Sequence, residues 1–403
     1  MSSVNEIPNG WIKTTIGELV ELAQGVAINA KTKHVLSNED EGIPLLKINN
    51  LINDTIDQYA NPNLVPEKSI IHKNDVIFTR TGQVGEVFKN KFGILHNNSF
   101  KVIPNEKLHW SYLYWYLKDR RVYNYVQKVA AGSVQKDLNH GAFKTIEFKY
   151  PKVIEEQKAI ANILTAFDDK IENLQAQNKT LEQTAQTIFK ERFKNESEDW
   201  ERVKINELVE ISSSKRIFHS EYVDDGIPFY RGKEIIELST KPDISTELFI
   251  TEERYNEIKE KHLVPTKGDI LLTAVGTLGV PFQVRNYKPF YFKDGNLIWF
   301  KNFSNKMSSD FLYNWLKLKT TQNQLNTISI GSTQKALTIT SIKELEIPLI
   351  LDKEKREIFD KVLSSNLNKV NHNLAQIQTL KQTRDTVLPK LMSGQLRVNA
   401  FKA

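Results

Sequence analysis

The fold of this chain is decided by a long stretch without proline or glycine, residues 155–193, which reads EEQKAIANILTAFDDKIENLQAQNKTLEQTAQTIFKERF. Its apolar residues recur at alternating steps of four and three, the spacing of a coiled-coil seam. The seam positions are Ile160, Leu164, Phe167, Ile171, Leu174, Asn178, Leu181, Ala185 and Ile188. A heptad that persists over about four repeats predicts a helix that pairs with another helix, rather than the surface helix of a globular domain.

Asn178 is the polar residue in this seam, and two interpretations of it remain open. A buried asparagine can fix the register and orientation of a partner helix at some cost in stability. Alternatively, Asn178 is a tolerated polar residue near a solvated edge.

Residues 353–392 form the second predicted helix and carry a similar stripe. The apolar members of that stripe are Phe359, Leu363, Leu367, Val370, Leu374, Ile377, Leu380 and Val387. Asn366, Asn373 and Arg384 occupy positions where strict equivalence with the first helix would place seam residues. We therefore expect the second stripe to be rotated slightly.

The ends and lengths of these helices predict how they pair. Pro389 is expected to kink or shorten the last turn of the second helix, and Gly394 stands just past its end. At about 34–38 residues, each helix would be roughly 50–57 Å long. Each stripe requires burial, and the second domain must begin where the first helix ends. The sequence favours an antiparallel pair with one globular domain at either end over a parallel pair that brings the domains side by side.

The chain also aligns with itself, because residues 10–195 return in diverged form as residues 199–394. Trp11 corresponds to Trp200, and Tyr114 corresponds to Tyr313. A repeat of roughly 200 residues is too long for a solenoid and indicates one domain with its connecting helix, used twice. The predicted layout is domain 1 at residues 1–152, the first helix at 153–195, domain 2 at 196–351, the second helix at 352–396 and a tail at 397–403.

Each globular copy reads as mixed α and β structure. Each is expected to open with a short helix, since Thr15 and Glu18 have capping-box spacing in domain 1. Predicted strands are Ile43–Ile48, Val76–Phe78 and Phe100–Ile103 in domain 1, and Ile227–Tyr230, Ile270–Leu272 and Leu297–Phe300 in domain 2. Predicted helices are Trp110–Lys118 and Phe311–Lys317, and predicted final strands contain Phe143, Ile146 and Phe148, and Ile342, Leu345 and Ile347.

The predicted fold class is α+β: two internally repeated mixed α/β domains, joined by two long helices packed as an antiparallel coiled coil. The order of elements is too irregular for a doubly wound sheet.

Composition limits the classes of function. Among 403 residues, 40% are hydrophobic and 10% aromatic, which is enough for real cores. The absence of cysteine excludes disulfides, thiolate metal sites and thiol catalysis. The formal charge of +6 is a weak indication of a polyanionic partner. Without a membrane-spanning stretch or a secretory signal, we expect a cytoplasmic protein.

A loop that follows a buried strand in each copy is a candidate binding element. In domain 1 it runs from Thr79 to Gly85, and its Arg80 and Gln83 offer donors for base edges and phosphates. The domain 2 loop keeps the glycines but has Thr273 and Thr277 as its polar residues. An ordinary glycine-containing turn is the alternative interpretation.

A second loop combines hydroxyl, amide and ammonium groups, which suits phosphate positioning. It contains Ser133, Gln135 and Lys136 in domain 1, and Ser332, Gln334 and Lys335 in domain 2. A solvated polar loop is the alternative.

Enzyme signatures are absent from the sequence: it contains neither a Walker A motif nor the Asn/Asp-Pro-Pro-aromatic tetrapeptide of adenine methyltransferases. The histidines are scattered without metal-ligand spacing. Asp75 and Asp269 each precede a strand without a second carboxylate at nuclease spacing. We expect neither a catalytic nor a metal site.

Several short sequence motifs resemble those of the specificity subunit of type I restriction–modification systems. The resemblance covers roughly residues 10–396 and rests on the order and the duplication of the motifs. They are Trp11 through Glu21, Lys73-Asn74-Asp75-Val76 with Gly82 and Gly85, Gly132-Ser133-Val134-Gln135, Glu155-Glu156-Gln157 and Lys390-Leu391-Met392-Ser393-Gly394-Gln395-Leu396. The chain departs from the family pattern at Lys353-Glu354-Lys355-Arg356, where a Glu-Gln pair is common, and this departure concerns a docking contact of the second helix.

The resemblance implies that each copy is a target recognition domain for one half of a bipartite, asymmetric DNA site. The helices would set the gap and dock two adenine-N6 methyltransferase subunits that use S-adenosylmethionine. Two motor–nuclease subunits that use ATP and Mg²⁺ would complete the restriction enzyme, with no cofactor held by this chain. The candidate DNA-binding residues are then those of the loops above together with Lys47, Arg231 and Lys233.

Two other classes of function remain as alternatives. The chain could be a duplicated coiled-coil scaffold whose globular domains bind protein. An enzyme acting on nucleic acid is the other alternative, and it would need a catalytic constellation that the sequence lacks.

Overall fold

The computed structural model describes residues 7–132, 136–194, 199–240, 244–285, 288–331 and 335–398. The chain divides into unit 1, which consists of Met1–Lys170 and Leu380–Ala403, and unit 2, which consists of Ile171–Thr379. Each unit contains one globular domain and segments of both long helices. In the described part of the chain, no helix is long and apolar enough to cross a membrane.

Domain 1 contains short strands and helices in irregular order. Its strands are β1 (Trp11–Thr15), β2 (Val20–Gln24), β3 (Leu36–Ser37), β4 (Ile43–Leu46), β5 (Tyr59–Ala60), β6 (Ile70–Ile71), β7 (Val76–Thr79), β8 (Val87–Phe88), β9 (Gly93–Leu95), β10 (Ser99–Pro104) and β11 (Glu147–Pro151). Its helices are α1 (Ile48–Asn53), α2 (Trp110–Lys118), α3 (Arg120–Val129) and α4 (His140–Lys144), followed by the long α5 (Ile154–Arg192).

Three sheets organise domain 1. The first and last strands, β1 and β11, pair antiparallel, so both ends of the repeat are held together. An antiparallel sheet with the order β2-β10-β7-β8 covers a core that includes the fully buried Phe78, Phe100, Phe143 and Trp115. A third sheet has the order β3-β5-β4-β9-β6.

Domain 2 repeats this plan. Its strands are β12 (Trp200–Lys204), β13 (Glu210–Ser212), β14 (Ile227–Tyr230), β15 (Phe249–Ile250), β16 (Ile270–Thr273), β17 (Pro281–Gln283), β18 (Tyr291–Phe292), β19 (Leu297–Lys301) and β20 (Glu346–Ile350). Its helices are α6 (Gly232–Thr240), α7 (Glu252–His262), α8 (Ser309–Lys317), α9 (Lys319–Ile328) and α10 (Ile339–Lys343), followed by the long α11 (Lys353–Met392). Again the outer strands β12 and β20 pair antiparallel, and the central sheet has the order β13-β19-β16-β17.

The expected opening helix of each copy is wrong. Strands β1 and β12 come first, and only a three-residue 3₁₀ turn follows, Ile16–Glu18 in domain 1 and Ile205–Glu207 in domain 2. Thr15 precedes its turn without a side-chain capping bond. Pairing with the distant last strand satisfies the backbone groups that a helix would have used, so tertiary pairing overrides the local signal.

Most other predicted elements are present, with shifts at their ends. Helix α2 has its expected bounds, and α8 begins two residues early, at Ser309. The predicted strand Ile43–Ile48 ends at Leu46, because Ile48 begins α1. Phe143 and Ile342 lie in helices α4 and α10 rather than in the final strands. These two residues point into the cores from short helices, which a strand-like apolar spacing cannot reveal.

In unit 1, the beginning of α5 packs antiparallel to the end of α11. Asp168 forms an ion pair with Arg384 at 2.5 Å, whereas Glu156, earlier in α5, pairs with Arg397 beyond the end of α11 at 2.9 Å. Pro389 does not end α11, which continues to Met392. The proline carbonyl still accepts hydrogen bonds from Ser393 N and from Arg121 Nη2.

In unit 2, the end of α5 packs antiparallel to the beginning of α11. Asn373 Nδ2 donates to Asn178 Oδ1 at 2.8 Å, and the two residues are 0% and 9% exposed. Asn373 therefore lies within the seam, because Asn178 supplies its hydrogen-bond partner, and the register interpretation of Asn178 is favoured. The buried series of α5 ends on Phe189 rather than on Ile188. Phe189 packs against Phe359 with ring centroids 5.7 Å apart.

Candidate nucleic-acid interface

In domain 1, the loop of residues 79–85 lies against the described residues on either side of the second loop, 131–132 and 136–137. Thr81 and Ala131 each form a β-bridge with Asp137. Gly82 N donates to Lys136 O at 2.9 Å. The two candidate loops predicted from the sequence thus form one surface, although about 50 residues separate them in the chain.

Asp137 joins these loops through its side chain. Arg80 Nη2 donates to both carboxylate oxygens, at 2.9 and 2.7 Å, and Thr81 Oγ1 donates to Oδ1 at 2.6 Å. Burial works to raise the pKa of Asp137, but the hydrogen bonds from Thr81 and Arg80 outweigh it, and the pKa lies below its ordinary value. We call Arg80, Thr81 and Asp137 the polar clasp. Arg80, a predicted DNA contact, thus has a carboxylate partner within the protein.

The corresponding loops of domain 2 meet in the same way, with uncharged residues at the positions of Arg80, Thr81 and Asp137. Val275 and Ile330 each form a β-bridge with Ala336. Leu337 N donates to Ala274 O at 2.8 Å, just as Leu138 N donates to Arg80 O at 2.9 Å. We call Ala274, Val275 and Ala336 the apolar clasp. The backbone arrangement is therefore the same in both domains, while the side chains that join the loops differ.

A buried threonine anchors the first loop in each domain. Thr79 Oγ1 donates to Gln83 O and accepts from Glu86 N, and Thr273 Oγ1 donates to Thr277 O and accepts from Val280 N. Both threonines are 0% exposed. This corrects the assignment of Thr273 as a DNA contact: its hydroxyl is enclosed and holds the loop.

Glycines make this loop shape possible. Gly82 and Gly276 have φ values of 80° and 78°, which side-chain-bearing residues rarely adopt. A Cβ on Gly85 would come within 3.1 Å of the Tyr123 ring, and one on Gly279 within 3.0 Å of Gln322. The glycines that both loops share therefore allow the loop backbone to adopt this conformation.

The tips of the loops are exposed. Gln83 and Lys136 are exposed in domain 1, as are Thr277 and Lys335 in domain 2. Lys136 Nζ donates to Gln127 Oε1 at 3.0 Å. The other predicted loop contacts, Ser133, Gln135, Ser332 and Gln334, lie outside the described residues.

The other cationic residues predicted to bind DNA, Lys47, Arg231 and Lys233, differ in their ion pairs and in their exposure. Lys47 pairs with Asp57 at 3.2 Å just before α1. Arg231 pairs with the buried Glu234 at 2.7 Å, and the hydrogen bond to Glu234 raises the pKa of Arg231. Lys233 is exposed on α6. Of these three, the geometry ties Arg231 most firmly to the protein.

Asp75 and Asp269 have structural partners. Asp75 pairs with Lys101 at 2.6 Å. Asp269 accepts hydrogen bonds from Thr266 N at 2.8 Å and from Trp299 Nε1 at 3.0 Å, and burial raises its pKa. Among the described residues, no cluster of three or more His, Cys, Asp or Glu side chains could hold a metal ion.

The Glu155-Glu156-Gln157 motif at the start of α5 makes contacts inside the domain. Glu156 and Gln157 are 3% and 0% exposed, and Gln157 Nε2 donates to Pro151 O at 2.9 Å. In domain 2, Arg356 Nη1 donates to the equivalent carbonyl, Ile350 O, at 2.9 Å. The family departure at this position therefore leaves an internal contact in place.

Sequence reasoning missed a cleft of domain 2. It has a volume of about 480 Å³ and is lined by Arg216, Ile217, Phe218, His219, Lys293, Asp294, Gly295 and Asn296. We call it the Phe218 cleft. The sequence does show that the two domains differ here. When the alignment of Trp11 with Trp200 is extended without a gap, Arg216-Ile217-Phe218-His219 of domain 2 stand opposite Ala27-Ile28-Asn29-Ala30 of domain 1.

Comparison with known proteins agrees with this duplicated architecture. The family model of the type I restriction modification DNA specificity domain matches the chain twice, over residues 8–183 and 197–382. The MjaIX specificity subunit of a type I restriction enzyme from Methanocaldococcus jannaschii is 26% identical, covering 98% of this chain and 96% of the relative. The MjaVIII specificity subunit from the same organism is 25% identical, with coverages of 97% and 94%.

A solved structure has a similar fold. The crystal structure of the S subunit of a type I restriction–modification system from M. genitalium superimposes with a TM-score of 0.59 at 19% identity, covering 97% of this chain and 98% of that one. Together with the two family matches over most of the chain, the repeated domains and paired helices lead to one conclusion. The chain belongs to the family of type I restriction–modification specificity subunits and carries the DNA specificity domain of that family twice.

Proposed function

We propose that this chain is a non-catalytic DNA reader that recognises a bipartite, asymmetric site, with one half-site for each domain. The observation that carries the proposal is the pair of loops in each domain, whose backbone bonds agree while their side chains differ. A shared frame with different exposed groups suits two readers that face the same kind of ligand and select different sequences. Because the ligand would be cellular DNA, we propose a cytoplasmic location.

The exposed tips provide the chemistry for such reading. The Gln83 amide can pair with an adenine edge, and the ammonium groups of Lys136 and Lys335 can neutralise phosphates. Thr277 supplies a smaller hydroxyl at the position of Gln83. Lys47 and Lys233 would add phosphate contacts beside the loops.

We propose that the long helices set the gap between the half-sites. Helices α5 and α11 span 39 and 40 residues without interruption. The Asn178–Asn373 pair in unit 2 and the Asp168–Arg384 pair in unit 1 both fix the register between these helices.

Two exposed apolar residues at equivalent positions support docking of two methyltransferase subunits. Ile163 on α5 is 38% exposed, and Val362, at the equivalent position of α11, is 40% exposed. The subunits would modify adenine N6 with S-adenosylmethionine, and two motor–nuclease subunits using ATP and Mg²⁺ would add restriction. This chain would hold none of these cofactors itself.

Modification-sensitive sequencing tests DNA recognition. DNA from cells that carry the methyltransferase partner, with and without this chain, should differ by adenine methylation at one interrupted, asymmetric sequence. Replacing Gln83 with alanine should relax or abolish selection in one half-site and leave the other unchanged. Absence of any sequence-specific methylation, together with duplex binding that does not depend on salt, would favour the protein-binding scaffold.

Docking is tested by stoichiometry. Ile163→Asp and Val362→Asp should each leave one methyltransferase subunit bound, and the double variant should bind none. Lys179→Asp, an exposed change on α5, is the matched control and should retain two. Retention of two subunits by the double variant would contradict this docking assignment.

A further inference from the structure

The Phe218 cleft exposes an aromatic ring from a firmly held backbone. Phe218 is 61% exposed, while the preceding Ile217 is 4% exposed and packs in a hydrophobic core. Phe218 N donates to Glu221 Oε2 at 2.7 Å at the start of the 3₁₀ turn His219–Glu221. A large apolar ring held at the surface in this way has the geometry of a contact residue rather than of a core residue.

Two cationic residues, Arg216 and Lys293, line the same cleft as the ring. Arg216 uses Nε to bind Asp294 Oδ2 at 2.9 Å, yet its side chain remains 68% exposed. Lys293 also lines the cleft, and its backbone N donates to Tyr230 O at 2.9 Å. A Cβ placed on Gly295 would have no neighbouring heavy atom of the described residues within 4 Å, so the cleft is open at this point. An exposed ring in the same cleft as a guanidinium and an ammonium group suits a ligand with both phosphates and flat apolar surfaces.

The cleft is continuous with the candidate loops of domain 2. Ala274 N, in the apolar clasp, donates to Asn296 O at 2.8 Å, and Asn296 lines the cleft. A duplex that contacts the tip at Thr277 would therefore have the cleft as its neighbour on the same domain.

Domain 1 has different residues at this place. The aligned positions carry Ala27, Asn29 and Ala30 instead of Arg216, Phe218 and His219. Val26 forms a parallel β-bridge with His96, and a Cβ on Gly25 would lie 2.3 Å from His96 O, so this strand end packs tightly on the neighbouring turn. The aromatic and cationic combination thus belongs to domain 2.

We propose that the Phe218 cleft is a second DNA contact of domain 2, in which Phe218 inserts as an apolar wedge at a base step while Arg216 and Lys293 bind the flanking phosphates. The proposal rests on the proposed DNA-reading function. Apolar side chains that enter the minor groove unstack a base step and bend the duplex, and they favour steps that deform easily. Domain 2 would then select its half-site partly through deformability, whereas domain 1 would depend on its loops.

The test uses the full chain with its methyltransferase partner and a duplex that carries the mapped site. 2-Aminopurine is placed at successive positions in the half-site of domain 2. Apart from the adenine that the methyltransferase flips out for modification, binding of the wild-type complex should raise the fluorescence at one further step, and Phe218→Ala should remove that rise and weaken binding about tenfold. Phe218→Trp should retain the rise.

Matched controls are available in domain 1. Asn29→Ala changes the aligned position, and Phe92→Ala removes another exposed ring, which is 56% exposed. Neither should change the fluorescence or the affinity. Arg216→Ala and Lys293→Ala should each reduce the slope of log affinity against log salt by about one.

The outcomes separate the two proposals. If the wild-type complex binds its site but Phe218→Ala matches it in fluorescence and affinity, the wedge is contradicted and DNA reading stands. A wild-type complex that binds no duplex would overturn both.

Discussion

The two domains hold the same loop frame together by different means. In domain 1, Arg80, Thr81 and Asp137 form hydrogen bonds between the loops, whereas domain 2 has Ala274, Val275 and Ala336 at these places. The β-bridges between the loops, the backbone bonds of Leu138 and Leu337, and the buried threonines agree in both. The comparison teaches that the frame depends on backbone and glycine geometry, which leaves the side chains free to diverge with the target sequence.

The junctions between helix and domain show a similar contrast with reversed charge. In unit 1, Glu156 at the start of α5 pairs with Arg397, and in unit 2, the equivalent Lys355 at the start of α11 pairs with Asp199. The Glu156 side chain is 4% exposed, but that of Lys355 is 60% exposed. The same position is therefore a buried ion pair in one unit and a solvated one in the other.

The largest effect is expected at the buried junction. Glu156→Ala removes the acceptor of both Arg397 Nε and Trp11 Nε1, and should destabilise unit 1 by about 3–5 kcal/mol because a buried charge loses its partner. Lys355→Ala should cost unit 2 under about 1 kcal/mol, since its pair is solvated. Hydrogen exchange of core amides in each unit measures both. Equal losses in the two units would show that burial does not distinguish the junctions.

An intermediate effect of equal size is expected from the shared anchors. Thr79→Val and Thr273→Val each delete a buried hydroxyl that bridges two backbone groups, and each should cost about 1–3 kcal/mol. Each should also impair methylation, because the loop loses its shape. Thermal unfolding and methylation assays of the two variants provide the measurement. A large loss in only one domain would contradict a common frame.

The smallest effect is expected at the clasps. Asp137→Ala should cost about 1 kcal/mol, since the ion pair is partly solvated. Ala336→Asp should destabilise domain 2, because Ala274 stands at the position where domain 1 has Arg80. Transplanting the polar clasp as Ala274→Arg, Val275→Thr and Ala336→Asp together should recover that loss. Denaturant titrations of the single and triple variants decide whether the clasps are interchangeable.

The polar clasp also has a pH dependence that the apolar clasp lacks. The pKa of Asp137 is lower in the folded protein than in the unfolded chain. Its contribution is therefore complete above the unfolded value of about 3.9 and is lost as the pH falls through the folded value. As the pH falls below about 3.9, the protection of loop amides, corrected for the intrinsic exchange rate at each pH, should fall in domain 1 more than in domain 2, and Asp137→Ala should remove the difference.

The helices and their pairing could be predicted because heptad spacing is a local and repeated signal. Helix α11 has the expected bounds, Lys353–Met392. The slight rotation expected for the second stripe does not reveal that Asn373 bonds to Asn178 within the seam, because the two residues lie 195 positions apart in the chain. Similarly, the opening strand β1 depends on β11 at the far end of the domain. Contacts between distant segments decide such features, and residue spacing does not encode them.

The two loops of the candidate site could each be singled out in the sequence, but neither their contact nor the roles of their residues could be predicted. Thr273 and Gln83 are both polar loop residues in the sequence, yet one is buried and the other exposed. Asp137 follows the predicted loop and gains its importance only because folding brings Arg80 beside it. The exposure of Phe218 could not be predicted either, because an isolated phenylalanine in a sequence usually indicates a core position.

The central claim, that a register-fixed pair of helices separates two different readers, is tested by lengthening both helices together. One heptad is inserted after Leu174 in α5 and another after Ile377 in α11, which adds about 10.5 Å to each, or roughly three base pairs. Sequencing of methylated DNA should then show both half-sites unchanged and the gap longer by about three base pairs. Continued methylation of the original site by this variant would contradict the account.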